Sequence, residues 1–284
     1  QHGYASHTPA SDGVRVYCFF GKSGVVAFDL DGKQLWQTSV GTGSATRGWG
    51  TGASPIVHGE MVIVNASAES GTLRALDKKT GKEVWKANGV KNTWCTPTVA
   101  QTKDGKSELV ITVPHETWGI DPDTGKKLWT AKVAIGEFPI PGVVAEKDVV
   151  YVAGGRGKGS GAVAAIRASG RGDVTKSHVL WTSDEYSPVP TPVLLDGKLY
   201  CLNDSGFAFC VDAATGKQIY RKRQLGGGGG GNRSTYGSMV AANGKLYAVS
   251  RGAGTYVIAA GDRYDQIACN SFASDRGDFN GTPA

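Results

Sequence analysis

One short stretch recurs along this chain, and nothing else constrains its folding as strongly. It reads AFDLDGKQLW from Ala27 to Trp36, ALDKKTGKEVW from Ala75 to Trp85, GIDPDTGKKLW from Gly119 to Trp129 and CVDAATGKQIY from Cys210 to Tyr220. Ala165 to Trp181 keeps the terminal tryptophan behind a lengthened turn, and Val257 to Phe272 keeps the strand pattern without the Gly-Lys or the Trp. Strand starts recur at matching intervals: Thr8-Pro9, Ser54-Pro55, Thr96-Pro97, Ile140-Pro141, Thr191-Pro192, Gly237-Ser238 and Thr282-Pro283. A fixed period on the order of 45 residues is the signature of a radially repeated β-sheet module. The reading is an all-β propeller of four-stranded antiparallel blades, with six complete modules and the opening of a seventh.

Each module divides into four short strands. The first follows the Ser/Thr-Pro, where proline need not donate to the ladder. The second is an apolar run such as Met61 to Val64 or Leu109 to Val113. These runs are nearly continuous rather than alternating, so both faces of each sheet are expected to be buried between neighbouring blades. The third strand ends in Asp29, Asp77, Asp121 or Asp212, whose carboxylates are expected to accept the N–H groups of their own turns, while Gly32, Gly81, Gly125 and Gly216 supply a positive φ. The aromatics that close the motif, Trp36, Trp85, Trp129, Trp181 and Tyr220, are read as structural anchors packed between blades, with indole N–H groups directed at backbone carbonyls.

At 284 residues the chain is read as one closed domain over 1–284, and its 42 glycines serve the turns of many short strands. No apolar run reaches the roughly 18 residues of a membrane-spanning helix. The chain opens on Gln1 at a module edge and stops at Ala284 as another begins, so the reading is a segment lacking the ring-closing ends, with its signal peptide elsewhere. The net charge of +6 is spread along the chain, with none of the basic stripe and interleaved aromatics that nucleic-acid binding requires.

Catalytic and metal motifs are missing from the pattern. Cys18, Cys95, Cys201, Cys210 and Cys269 show no C-x-x-C spacing, and His2, His7, His58, His115 and His178 fall singly in loops. There is no Gly-x-Ser-x-Gly elbow. A hairpin turning at Ser205-Gly206 is expected to set Cys201 opposite Cys210, leaving either a cross-strand disulfide or two small buried thiols. The run Gly226 to Gly231 lacks the Lys-Ser/Thr and helix of a phosphate loop and is read as a flexible insert.

The A-x-D-x-x-T-G-K-x-x-W copies resemble the tryptophan-docking motifs of the pyrroloquinoline quinone (PQQ) propeller repeat superfamily. Runs such as GYASHTPASDG, FDLDGKQLWQT, GTGASP and GKLYAVSR are most similar to its planctomycete-type repeat proteins. The resemblance covers essentially the whole chain and implies seven or eight blades in the intact protein and export to the periplasm or cell surface. It also implies one of two activities. Quinoprotein dehydrogenases of the superfamily bind PQQ and calcium at the axis, using a catalytic Asp and, in many members, an adjacent Cys-Cys pair, which this chain lacks. Non-catalytic members, including the propeller lipoprotein of the outer-membrane assembly machine, use a ring face to bind protein. The second reading is preferred: no catalytic residue, no cofactor and no metal, with protein partners in the bacterial cell envelope.

The binding face is expected where the second-to-third turns and the inter-blade links emerge together. The turns contribute His115, Glu116, Arg156 and Arg251. The links contribute Arg47, Trp49, Trp94, Phe138, Tyr186, Arg233 and Tyr236. Aromatics and arginines are the residue types that dominate interface hot spots. For Trp94, Phe138 and Tyr236, which precede three strand starts equivalently, two readings stand: packing at the channel mouth, or binding. Sugar stacking on exposed Trp and Tyr faces is a further alternative. Trp118, where other modules have smaller residues, is read as gap filling.

Overall fold

The computed structural model describes residues 7–155, 159, 161–223, 235–271 and 281–282. Arg156, Arg233 and the run Gly226 to Gly231 lie outside the described residues. Among the described residues six sheets follow one another along the chain, each built on four antiparallel strands, with a fifth, parallel strand added to the third sheet. Blade 1 is β1 (Ala10–Ser11), β2 (Arg15–Phe19), β3 (Val25–Asp29) and β4 (Gln34–Thr38); blade 2 is β5 (Ile56–His58), β6 (Met61–Ala66), β7 (Thr72–Asp77) and β8 (Glu83–Asn88). Blade 3 is β9 (Thr98–Gln101), β10 (Ser107–Val113), β11 (Glu116–Ile120) and β12 (Lys127–Lys132). Blade 4 comprises β13 (Val144–Glu146), β14 (Val149–Gly155), β15 (Gly161–Arg167) and β17 (Val179–Ser183), with β16 (Gly172–Asp173) inserted before its last strand. Blade 5 is β18 (Val193–Leu195), β19 (Lys198–Leu202), β20 (Phe207–Asp212) and β21 (Gln218–Arg223), and blade 6 is β22 (Val240–Ala242), β23 (Lys245–Ser250), β24 (Gly254–Ala259) and β25 (Gln266–Asn270). Single helical turns occur at α1 (Ser67–Ser70) and α2 (Thr175–His178). Among the described residues no helix is long and apolar enough to cross a membrane.

The recurring motif has a specific geometric content. In all six blades the ladder between the third and fourth strands shifts register at one place, beside Ala27, Ala75, Gly119, Ala165, Cys210 and Val257. The unpaired residue is the aliphatic one just before the aromatic: Leu35, Val84, Leu128, Leu180 and Ile219, with Ile267 in the sixth copy. A bulge here twists the outer strand. The small residue of the motif then lies directly opposite the aromatic, Ala27 against Trp36 and Ala75 against Trp85.

The turns behave as their chemistry requires. Asp77 Oδ1 accepts the N–H groups of Lys79 at 3.1 Å and Thr80 at 2.7 Å, and Asp212 Oδ1 accepts that of Thr215 at 2.8 Å. Gly81, Gly125 and Gly216 each adopt φ +71. A second constraint acts on these glycines from outside their own blade. A Cβ on Gly81 would lie 2.6 Å from Trp36, on Gly125 2.5 Å from Trp85 and on Gly216 2.5 Å from Trp181. The indole N–H groups donate to carbonyls beside those turns: Trp36 to Lys78 (3.2 Å), Trp85 to Pro122 (2.8 Å) and Trp181 to Ala213 (2.9 Å).

Blade 4 has no such turn, and its neighbour changes accordingly. Trp129 donates instead to the buried Glu108 Oε2 at 2.6 Å, and Arg171 approaches the same carboxylate at 3.3 Å. The lengthened turn supplies β16, which pairs in parallel with β12 through Trp129 and Thr130. Tyr220 meets Tyr264 edge-on, with ring centroids 6.1 Å apart.

The Ser/Thr-Pro strand starts carry a function beyond tolerating proline. Thr8 N donates to Ser54 Oγ (3.0 Å), Ser54 N to Thr96 Oγ1 (2.9 Å), Gly142 N to Thr191 Oγ1 (2.8 Å), Thr191 N to Ser238 Oγ (2.9 Å) and Ser238 N to Thr282 Oγ1 (3.1 Å). Each hydroxyl thus clasps the preceding blade at its inner strand. At the junction of blades 3 and 4, where Ile140 has no hydroxyl, Val143 N reaches Thr96 O at 3.3 Å.

Two expectations need correction. The second strands of interior blades are buried on both faces, as in β6 and β10, but β2 and β23 are buried on alternate residues only. In blade 1 Tyr17 and Phe19 pack on blade 2, while Val16 and Cys18 on the other face are half-buried. The cysteine pairing is also different. The turn closes from Asn203 to Phe207, which sets Cys201 opposite Phe209 and Cys210 opposite Tyr200. A one-residue offset sends the two side chains to opposite faces of the sheet, where they join different cores and remain free thiols.

Candidate functional site

Strand direction puts the second-to-third turns and the inter-blade links at one end of every blade, and hydrogen bonds join them. Gly43 N donates to Glu69 O (2.9 Å), Ala45 N to Ala68 O (3.0 Å), Val90 N to Gly71 O (3.0 Å) and His115 N to Gly136 O (3.1 Å). The link leaving blade 1 therefore lies over α1 of blade 2. Gly41 lies so close to that turn that a Cβ would come within 2.4 Å of Glu69 O, and its φ is +125.

Links from blades 1, 2 and 3 converge on one aromatic platform. Trp49 lies 5.2 Å from Trp94 and 5.9 Å from Phe138, and Trp94 lies 6.2 Å from Phe138, all measured between ring centroids. Trp94 forms the floor, 8% exposed and fixed by Nε1 donating to Gly50 O at 2.6 Å and its backbone N donating to Pro139 O at 2.8 Å. Trp49 and Phe138 are half-buried, and Arg47 is exposed with its guanidinium 5.0 Å above the Phe138 ring. Thr46 Oγ1 ties the link to Asn92 Oδ1 at 2.9 Å. The platform stands beside the Ser54 and Thr96 clasps, at the inner part of the face.

The other expected residues do not join it. Tyr236 lies under Arg251, whose guanidinium is 4.9 Å above its ring. Tyr186 is half-buried against Gly161. His115 is exposed at φ +64 and, with Glu116, Lys132 and Val133, lines an open cleft of about 550 Å³. Glu116 Oε2 accepts the Trp118 indole N–H at 2.8 Å, and Lys127 covers that ring at 4.0 Å, so Trp118 is held on the sheet.

Beneath the platform's link lies Glu69, which the sequence places in a second-to-third turn of the same face. Glu69 is 5% exposed and its Oε2 has no hydrogen-bond partner. Burial pushes its carboxyl up to about 7 against a weaker downward pull from Lys22. Its burial is what only the fold shows, because a Glu in a turn ordinarily reads as solvated.

At the opposite end, a cleft of about 610 Å³ between blades 4 and 5 is lined by Glu146, Asp196, Lys198, Asp212 and Asp262 among others. Lys198 pairs with Asp262 at 3.1 Å.

A family profile described as outer membrane protein assembly factor BamB matches residues 2–115. The structure of BamB from Moraxella catarrhalis superposes with a TM-score of 0.72 over 97% of this chain and 76% of that one, at 17% identity. The chain has the β-propeller fold. The quinohemoprotein alcohol dehydrogenase ADHIIG of Pseudomonas putida has the same fold, with a TM-score of 0.62, 15% identity and coverage of 89% of this chain and 51% of the enzyme. Tetrathionate hydrolase of Acidithiobacillus ferrooxidans is 31% identical over 134 residues, a stretch that covers 44% of this propeller and 25% of the hydrolase.

Calcium bound with PQQ would need several carboxylate or amide donors gathered in one place. Among the described residues no group of three or more His, Cys, Asp or Glu comes together to hold a metal.

Proposed function

We propose that this PQQ-like propeller is a non-catalytic scaffold of the cell envelope, periplasmic or extracellular, that binds a protein partner through the face bearing Arg47, Trp49, Trp94 and Phe138. The observation that carries the reading is the convergence of three blade links on one aromatic platform capped by an exposed arginine. Rigid aromatic surface with a neighbouring guanidinium is the composition of binding hot spots, and a ring that holds its loops on fixed blades suits recognition. The family description, an outer membrane assembly factor, supports an envelope setting.

Titration of the protein with PQQ and calcium in a calorimeter, followed by dye-linked oxidation of alcohols and sugars, tests the reading. The expected result is no heat and no turnover. Micromolar binding with turnover overturns it in favour of a quinoprotein dehydrogenase, the reading that the alcohol dehydrogenase fold favours. The half-buried Trp49 also favours sugar stacking as an alternative. Glycan-array binding that disappears in Trp49→Ala is the result that would establish it.

A further inference from the structure

The charges around the platform identify the kind of partner it fits. On the face formed by blades 1 to 3, Lys22, Arg47 and Lys91 are exposed, and none forms an ion pair among the described residues. Lys132 is exposed toward the outer edge, where it shares its field with Asp173. The acids that could balance these cations are mostly withdrawn. Glu69 is enclosed under the link, and Glu116 is engaged by the Trp118 indole, which leaves Glu137 as the exposed carboxylate of the three. The cleft at the opposite end has the reverse character, with four carboxylates and one lysine in its lining.

Arg47 makes the complementarity specific. Its guanidinium lies on the Phe138 face and donates to no protein acceptor among the described residues. Five N–H donors in a planar fork match a carboxylate in two-point contact, and stacking on an aromatic ring fixes the fork before the partner arrives. Beside it, Trp49 and Phe138 stand with centroids 5.9 Å apart, a span matching one apolar side chain.

We propose that the platform binds an acidic segment of a partner protein, with one aliphatic or aromatic side chain seated on Trp49 and Phe138 and a neighbouring Asp or Glu paired with Arg47. Lys22 and Lys91 extend the attraction to flanking carboxylates at screened range. The inference rests on the protein-binding reading above and adds the chemistry of the bound segment.

Fluorescence anisotropy with three labelled dodecapeptides tests it: one alternating Glu with Leu and Phe, one with Lys replacing Glu, and one with Gln replacing Glu. The acidic peptide is expected to bind at least tenfold more tightly than the other two and to weaken at least tenfold in Arg47→Glu, in Trp49→Ala and between 50 and about 500 mM salt. Arg47 is exposed, so its substitution leaves the fold intact and keeps the test valid if Trp49→Ala folds poorly. Equal binding of acidic and basic peptides, lost in Trp49→Ala, overturns the acidic class and keeps the face as a binding surface. No binding of any peptide, or binding indifferent to both substitutions, overturns both. A single-stranded oligonucleotide that binds more tightly than the acidic peptide also overturns the proposal.

Discussion

At the scale of single residues, one position in the motif answers to two masters. Gly125 must adopt φ +71 for its own turn, and it must also present no Cβ to Trp85 of the preceding blade, 2.5 Å from where that atom would stand. Gly32, at the same motif position, has φ +83 but nothing within 4 Å of its would-be Cβ. The two constraints can therefore be separated. Gly32→Ala is expected to cost about 1–2 kcal/mol for the left-handed backbone. Gly125→Ala should cost about 1–3 kcal/mol more, because the indole has to move. Urea denaturation midpoints report the difference, and equal losses at both positions would contradict inter-blade packing on the glycine.

Glu69 offers a second test at this scale. Its folded-state carboxyl, near 7, lies above the ordinary 4.5, so the folded protein holds more protons than the unfolded chain between those values. The Glu69 contribution to stability is then full below pH 4.5, declines as pH rises toward 7, and stays lost above, opposite in sign to that of the lowered carboxyls of Asp12, Asp77 and Asp212. Glu69→Gln is expected to flatten that slope and to gain up to roughly 3 kcal/mol at pH 8. Denaturation curves at pH 5 and pH 8 check it. Identical pH dependence in the two proteins would mean that the carboxyl reaches solvent.

At the scale of elements, the hydroxyl clasps join blades that no loop could hold in register alone. Thr96→Ala removes the acceptor of Ser54 N and is expected to cost about 1–2 kcal/mol, while Thr96→Ser keeps the acceptor and should cost well under half of that. Chemical denaturation of both variants decides it, and equal midpoints would deny the clasp any energetic weight. The clasp was half legible in the sequence. The Ser/Thr recurs before each proline, but a strand-start reading already explains the proline and hides what the hydroxyl does.

Other elements show the same division between local and long-range information. The six modules and their Asp-Gly turns are visible because they depend on neighbours in the chain. The bulge at Leu35, Val84 and Leu180 is not, because an aliphatic residue before a tryptophan looks like ordinary strand. The β16 segment is invisible for a different reason: its partner β12 belongs to another blade. The cysteine register depends on one residue: a turn centred on Ser205-Gly206 opposes Cys201 and Cys210, whereas closure from Asn203 to Phe207 offsets them by one. At the candidate site, equivalent positions before strand starts suggested grouping Trp94, Phe138 and Tyr236. The structure joins Trp49 to the first two and gives Tyr236 to Arg251, since links of different length cross the ring face differently.

At the scale of the whole molecule, the two ends of the blades are chemically unlike. One carries aromatic residues and uncompensated cations over blades 1 to 3, and the other carries a carboxylate-lined cleft between blades 4 and 5. A rigid β-structure can hold such an asymmetry because its loops are anchored at both ends, and the hydrogen bonds from Gly43 and Ala45 to α1 hold the Arg47 link in that way. On the proposed function, the aromatic face is the one that meets a partner. Site-specific photocrosslinking tests it most directly, with a photoreactive phenylalanine analogue replacing Trp49 in the full protein in its own cells and, as a control, replacing Asp196 on the opposite face. The expected result is a discrete protein adduct from position 49, absent at position 196 and lost when Arg47→Glu is added. Adducts that are the same from both faces, or none from position 49, would contradict it.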